Sequence, residues 1–246
     1  MPKYVIIGAS AAGIGAVEAI RDVDPVGGIT VISEEPCTKY SRPMISDFVS
    51  GKAALPEMMC RTDAFWDENK VEALTGRKAI ALDLAEKNVN LDHGERISYE
   101  KLLIATGGIP FVPKMEGTDR EGVFTFTNLS DAERLAEKLE DSKNVVVIGA
   151  GLIGVSATEA LVRRGLKVTL VELQDKILSL LLDSNGSEII ENAIRKAGVS
   201  IVTGSSVQRI MGKAENDQSV GSVFLTNGQQ VSCDVVIVAI GVIPRT

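Results

Sequence analysis

Val145-Val-Val-Ile-Gly-Ala-Gly-Leu-Ile-Gly154 decides the fold. Its first four residues are apolar, three of them valines, and suit a strand buried on both faces. They run straight into Gly149, Gly151 and Gly154, and a helix-forming run, Val155 to Val162, follows without a break. This is strand, tight turn and helix with glycines spaced G-x-G-x-x-G. The first glycine lets the chain turn sharply, the second lets a pyrophosphate approach the backbone, and the third lets helix and strand pack closely. The helix N-terminus then offers unpaired N–H groups and a partial positive charge to phosphate. A second strand, Lys167 to Val171, ends at Glu172, in position to accept from both hydroxyls of an adenosine ribose. Such a unit binds a dinucleotide.

The opening of the chain repeats the unit. Tyr4 to Ile7 is a buried strand, Gly8-Ala-Ser-Ala-Ala-Gly13 the turn, Ile14 to Arg21 the helix and Gly28 to Ile32 the next strand, closing on Ser33-Glu34-Glu35. Turns, helices, strands and terminal acids align with those of Val145 to Glu172. Ser10 stands where the second glycine would be and is small enough to let phosphate approach. Two such sites suggest two different dinucleotides.

Composition narrows the class. A chain of 246 residues has room for two modest domains, and 45% hydrophobic content fits a buried α/β protein rather than a disordered one. With only 4% aromatic residues, the core must rest on Val, Ile, Leu and Ala. The net charge of −7 is spread along the chain without a Lys/Arg block, which argues against nucleic acid or an anionic membrane surface as partner. No apolar run approaches the ~20 residues of a membrane span. Met1-Pro-Lys-Tyr4 enters a strand directly, without a signal peptide. Cys37, Cys60 and Cys233 form neither a C-x-x-C pair nor a metal-ligand spacing, and His93 is the single histidine, so no metal site is expected. The expectation is a reduced, cytoplasmic protein.

Between the repeats, Pro36 to Pro43 reads as a loop and Met44–Gly51 as a helix. Arg42 is either a solvated loop charge or a cation laid against phosphate or flavin. Phe65–Asn69 is a short helix, Val71 to Thr75 follows it, and Lys78–Leu84 and Asn88–Leu91 alternate as strands about the turn that carries His93. Ile97–Ala105 is one strand, and Pro110–Gly117 a linker. Ser130 and Glu133 have capping-box spacing at the start of a helix through Glu140. Ser187–Ala197 is an amphipathic helix. A meander of Val199–Val202, Val207–Met211, Gly221–Leu225 and Gln230–Ser232 precedes a buried strand from Val235 to Ala239.

Gly8–Gly13, Glu34 to Pro36 with Tyr40 to Pro43, Ala105 to Gly107, Gly149–Gly154 with Glu172, and Ala239 to Pro244 together resemble the FAD-containing pyridine nucleotide–disulfide oxidoreductase superfamily, closest to its NADH oxidase, rubredoxin reductase, ferredoxin reductase and nitrite reductase branch. The resemblance implies an α/β fold of two Rossmann-like FAD/NAD(P)-binding domains, each three-layered, with a parallel central sheet and a β-meander. Residues 1–112 would form the FAD-binding domain and residues 113–246 the NAD(H)-binding domain. Gly8, Ser10, Ala11, Ala12 and Gly13 would then hold the FAD pyrophosphate, and Glu34, with Glu35 beside it, the adenosine ribose. Arg42 would lie near the flavin and phosphate, the backbone near Ala79 would meet the adenine, and Ala105, Thr106 and Gly107 would pass beside the FAD. Gly149, Gly151, Leu152, Ile153, Gly154 and Glu172 would bind NAD(H), with Gly241 lining the nicotinamide pocket. The implied activity passes hydride from NADH to FAD and then to an acceptor such as oxygen or a small redox protein. Glu172 favours NADH, because a carboxylate repels a 2′-phosphate.

The sequence departs from the family in three places. The position of a redox cysteine is Pro43, and proline cannot make a sulfenate or mixed disulfide; Cys37 reads as an ordinary loop thiol. A Lys and a Glu that pair beside the flavin in many relatives are here Asp47 and Ser156. Losing both is consistent with a buried pair dispensed with as a unit, since one unpaired charge costs roughly 3–5 kcal/mol. Relatives also continue past this point, with a second FAD motif and an interface domain that builds a homodimer, so the FAD domain is expected to be incomplete and the chain a fragment. The alternatives are a non-catalytic nucleotide-binding fragment, or a disulfide reductase of the same superfamily.

Overall fold

The structure, a computed structural model, describes residues 3–245. In chain order β1 (Lys3–Ile7), α1 (Ala11–Val23) and β2 (Gly28–Ser33) are followed by three short helices, α2 (Ile45–Val49), α3 (Leu55–Met58) and α4 (Phe65–Glu68). Then come β3 (Val71–Thr75), β4 (Ala79–Asp83), β5 (Asn88–Leu91), β6 (Arg96–Ser98), β7 (Lys101–Ile104) and β8 (Gly108–Pro110). The second half holds β9 (Val123–Phe124), α5 (Leu129–Leu139), β10 (Asn144–Ile148), α6 (Leu152–Arg163), β11 (Lys167–Val171), α7 (Ser184–Lys196) and β12 (Ser200–Val202). It closes with β13 (Val207–Gly212), β14 (Val220–Leu225), β15 (Gln230–Ser232), β16 (Val235–Val238) and β17 (Val242–Pro244). Among the described residues no helix is long and apolar enough to cross a membrane.

Two compact units result: of the described residues, 3–41, 55–108 and 244–245 form the first, and 42–54 and 109–243 the second. In the first, a parallel sheet of order β3-β2-β1-β7 has apolar side chains on both faces. Ile6, Ile29 and Val31 pack with Ile14, Val17 and Phe65 of the helices, while Val5, Ile7 and Ile32 pack with Val89, Leu91 and Ile97 of the antiparallel β4-β5-β6 sheet. Period-2 alternation of apolar residues thus builds three layers from one strand sequence.

The second unit repeats the plan. Its parallel sheet has the order β12-β11-β10-β16-β9. Val146, Ile148, Val236 and Val238 face the β13-β14-β15 meander through Val207, Ile210, Val223 and Leu225. The α2 helix packs on α5 and α6, which is why residues 42–54 group with this unit although a single division at 112/113 would leave them in the first.

Four sequence expectations need correction. Ile97–Ala105 is not one strand: β6 ends at Ser98 in the meander, and after Tyr99 and Glu100, whose N–H groups donate to Lys87 and Lys3 carbonyls, β7 joins the parallel sheet. Val199–Val202 does not extend the meander, because β12 pairs parallel with β11. The helix expected over Ser187–Ala197 begins at Ser184, capped by Asp183, whose carboxylate accepts from Gly186 N–H at 2.8 Å. The cap of α5 is Asn128 rather than Ser130: its Oδ1 accepts from Asp131 N–H at 2.8 Å.

Candidate functional site

Both units bring their glycines to the C-terminal ends of parallel strands, where open α/β sheets bind ligands. In the first, Gly8 takes φ +118° and its N–H donates to the Ile32 carbonyl at 2.8 Å. A Cβ on Gly8 would lie 2.1 Å from the Ala105 carbonyl oxygen, and one on Gly13 would lie 1.9 Å from that of Gly8. Neither position admits a side chain. Ser10 is the N-cap of α1, whose first turn carries no acidic residue and whose start receives no side-chain cap, so the N–H groups of Ala11, Ala12 and Gly13 lack an intrahelical acceptor.

The second cradle has the same geometry. Gly149 takes φ +99°, donates to the Val171 carbonyl at 2.8 Å, and would place a Cβ 2.6 Å from the Ala239 oxygen. A Cβ on Gly154 would lie 1.8 Å from the Gly149 oxygen, locking α6 against β10. Gly151 is different: a Cβ there would meet nothing within 4 Å. Its bareness serves open space above the turn, which suits a pyrophosphate laid on the N–H groups of Leu152, Ile153 and Gly154. No side chain caps α6 and no acid sits in its first turn, so its positive end is not neutralised.

The strand-end acids are already engaged. Glu172 accepts from Ala150 N–H at 2.6 Å through Oε2 and from Gln174 N–H at 2.8 Å through Oε1. These bonds fix the carboxylate at the rim of the cradle, and each oxygen retains a lone pair that can accept a further hydrogen bond. Glu34 is flanked by Arg245, paired with Oε2, and by Lys78, whose Nζ lies 3.5 Å from Oε1. Glu35 accepts from the Tyr40 hydroxyl at 2.6 Å.

Of the remaining expected positions, Ala79 opens β4 and packs against the meander-side core of the first unit. Ala105 follows β7, Thr106 donates to the Arg245 carbonyl at 2.7 Å, and Gly107 takes φ +67°. Gly241 takes φ +138°, with open space where a Cβ would be. Arg42 is not a solvated loop charge: its Nη1 donates to the Thr127 carbonyl at 2.7 Å, within the second unit. Asp47 pairs with Lys52 at 3.0 Å, and Ser156 is half-buried on α6. Cys233 is buried, and burial, with the Asp234 charge beside it, pushes its thiol up to about 12, so it carries no thiolate near neutral pH.

Sequence reasoning missed Arg245 and Lys78 at Glu34. Lys78 lies three residues beyond the end of β3, and the parallel register of β2 and β3, extended past Ser33 and Thr75, sets Gly76 rather than Lys78 opposite Glu34, so strand pairing alone does not signal the contact. Nothing local signals Arg245.

A family model described as pyridine nucleotide-disulphide oxidoreductase matches residues 2–246. The chain is 37% identical over 243 residues to the NADH-dependent phenylglyoxylate dehydrogenase subunit epsilon of Aromatoleum evansii, covering 99% of this chain and 57% of that one. It is 30% identical to the rubredoxin-NAD(+) reductase of Pseudomonas putida, covering 98% of this chain and 62% of the relative. Among solved structures, an NAD-dependent persulfide reductase from A. fulgidus superposes with a TM-score of 0.93 at 32% identity, over 99% of this chain and 46% of that one. The chain therefore spans about half to three-fifths of the length of these relatives. With two phosphate cradles of one geometry and a family match that runs from residue 2 to residue 246, the chain belongs to the pyridine nucleotide-disulphide oxidoreductase family.

Proposed function

We propose that this chain supplies the two nucleotide-binding units of a flavin-dependent NADH oxidoreductase, FAD in the first and NAD(H) in the second, with dioxygen or a small redox protein as acceptor. The observation that carries the reading is the duplicated cradle: glycines whose Cβ atoms would strike backbone carbonyls, followed by an uncapped helix start. Bound FAD would supply the hydride acceptor and the electron outlet. The chain's own part is to hold pyrophosphate on the first-turn N–H groups of α1 and α6 and ribose on Glu34 and Glu172. Visible flavin absorbance in the protein supplied with excess FAD, bleached anaerobically by NADH, is the expected result. A colourless protein that still binds NADH would instead favour the nucleotide-binding module.

Selectivity for NADH rests on Glu172, whose carboxylate is pinned at the cradle rim and repels a 2′-phosphate. Glu172→Ala is expected to lower the ratio of kcat/KM for NADH over NADPH by about tenfold, equivalent to about 1.4 kcal/mol. An unchanged ratio rejects the role.

Electron transfer without a redox cysteine is supported by the thiols themselves. Cys233 is buried in the meander core, Cys60 sits exposed in a loop, and Pro43 holds the place of the family's cysteine. The combined Cys37→Ser and Cys60→Ser variant should be bleached by NADH as the parent is; loss of bleaching would return the protein to the disulfide reductases.

A further inference from the structure

Glu34 closes β2 and faces the adenosine ribose on the reading of the first unit as an FAD site, and the role assigned to Arg245 rests on that reading. The Glu34 side chain is 40% exposed, and an unrestrained glutamate there would sample many rotamers and present its full charge to the dinucleotide phosphates. Two cations answer this. Arg245 pairs with Oε2, and Lys78 stands 3.5 Å from Oε1. Arg245 is itself anchored at both ends of its backbone, its N–H donating to the Gly107 carbonyl at 3.0 Å and its carbonyl accepting from Thr106 Oγ1 at 2.7 Å. A residue 211 positions away thus ties the strand-end acid to the loop after β7.

We propose that Arg245 is a positioning residue of the first unit's dinucleotide site: it fixes the Glu34 carboxylate for the ribose hydroxyls and offsets its charge against the pyrophosphate. A guanidinium suits the task because it stays charged and docks on one carboxylate oxygen in a directional bond, leaving the other lone pairs to accept from hydroxyls. An exposed ion pair adds little to folding stability, so the effect belongs in ligand affinity rather than in melting.

The test is FAD affinity of the full 246-residue chain, read by quenching of flavin fluorescence at several salt concentrations. The variants are Arg245→Ala, Arg245→Lys, Glu34→Gln, and Glu34→Gln with Arg245→Ala. Arg245→Ala should weaken FAD binding about 3- to 10-fold with an unchanged melting temperature, and Arg245→Lys should recover part of the loss. The dependence of affinity on salt should become shallower without the guanidinium. In the Glu34→Gln background, removing Arg245 should cost markedly less, because the charge it offsets is gone. Parental affinity in Arg245→Ala, or a loss of equal size in both backgrounds, overturns the inference alone. A parent chain that binds NADH but not FAD overturns the flavin reading and the inference together.

Discussion

Gly154→Ala should unfold or strongly destabilise the second unit, while Gly151→Ala, three residues away in the same motif, should leave folding intact and weaken NADH binding. The two glycines are bare for different reasons. At Gly154 a Cβ would lie 1.8 Å from the Gly149 carbonyl oxygen, and both atoms belong to backbone, so no rotamer change relieves the overlap. Either α6 lifts from β10, exposing apolar surface, or the turn at Gly149 opens and the bond to Val171 is lost. Overpacking of this kind costs ~1–3 kcal/mol when side chains can yield, and more is expected when they cannot. At Gly151 the backbone φ is −77°, which alanine adopts freely, and a Cβ has nothing within 4 Å. The methyl group would instead fill the space left for a pyrophosphate, with an expected loss in NADH affinity of at least about tenfold, or ~1.4 kcal/mol. Thermal melts and calorimetric NADH titrations of both variants check the pair. Parental NADH affinity in Gly151→Ala would mean that phosphate does not lie over that residue. A parental melt in Gly154→Ala would mean that close helix–strand packing is not what the third glycine provides.

The two cradles are legible in the sequence because everything that makes them is local: a buried strand, a turn that needs glycine, a helix start and an acid one strand later. The features that are not legible depend on choices between equivalent local signals or on distant contacts. Asn128 and Ser130 both stand three residues before an acidic side chain, and spacing alone favours the Ser-x-x-Glu form. The structure takes Asn128 because beginning the helix at Leu129 turns Leu129, Ala132, Leu135 and Leu139 into one buried stripe. The start of α7 lies ahead of its expected place, since Asn185 and Gly186 look like loop residues until Asp183 is seen to cap them. Tyr99 and Glu100 carry no turn signal, yet the chain changes sheets there because Lys87 and Lys3 offer carbonyls on different layers. Arg42 has the local surroundings of a loop cation, but its partner Thr127 lies 85 positions downstream, beyond any sequence period. The Glu34–Arg245 pair is hidden for the same reason.

Arg21→Ala is the second substitution expected to have a large effect, and it acts on the first unit at the end away from its glycine turn. Arg21 lies in the last turn of α1, where a cation is favoured by the helix dipole. Its guanidinium donates to four backbone carbonyls: Nε to Asn69 at 2.6 Å, Nη1 to Asp24 at 3.0 Å and Gly27 at 2.9 Å, and Nη2 to Lys70 at 3.1 Å. Those carbonyls belong to the exit of α1, the entry of β2 and the entry of β3, so one side chain holds the spacing of helix and strands at the end opposite the cradle. Asp24 reinforces the corner by accepting from Gly27 N–H at 2.8 Å and from the Tyr4 hydroxyl at 3.1 Å, but it cannot replace the donors. Charge-assisted hydrogen bonds contribute about 1.5–3 kcal/mol each when buried; here the site is half-open to water, which can satisfy some of the carbonyls, so the expected loss is about 2–3 kcal/mol in total. Lysine, with a point charge in place of the planar fork, should restore only a minor part. The single tryptophan, Trp66, packs against the helix-side core of this unit and reports its unfolding separately from the second. Urea titration followed by Trp66 fluorescence should therefore show a clearly lower midpoint for Arg21→Ala, with NADH affinity of the second unit unchanged. An unshifted Trp66 midpoint would mean that water serves those four carbonyls as well as the guanidinium does.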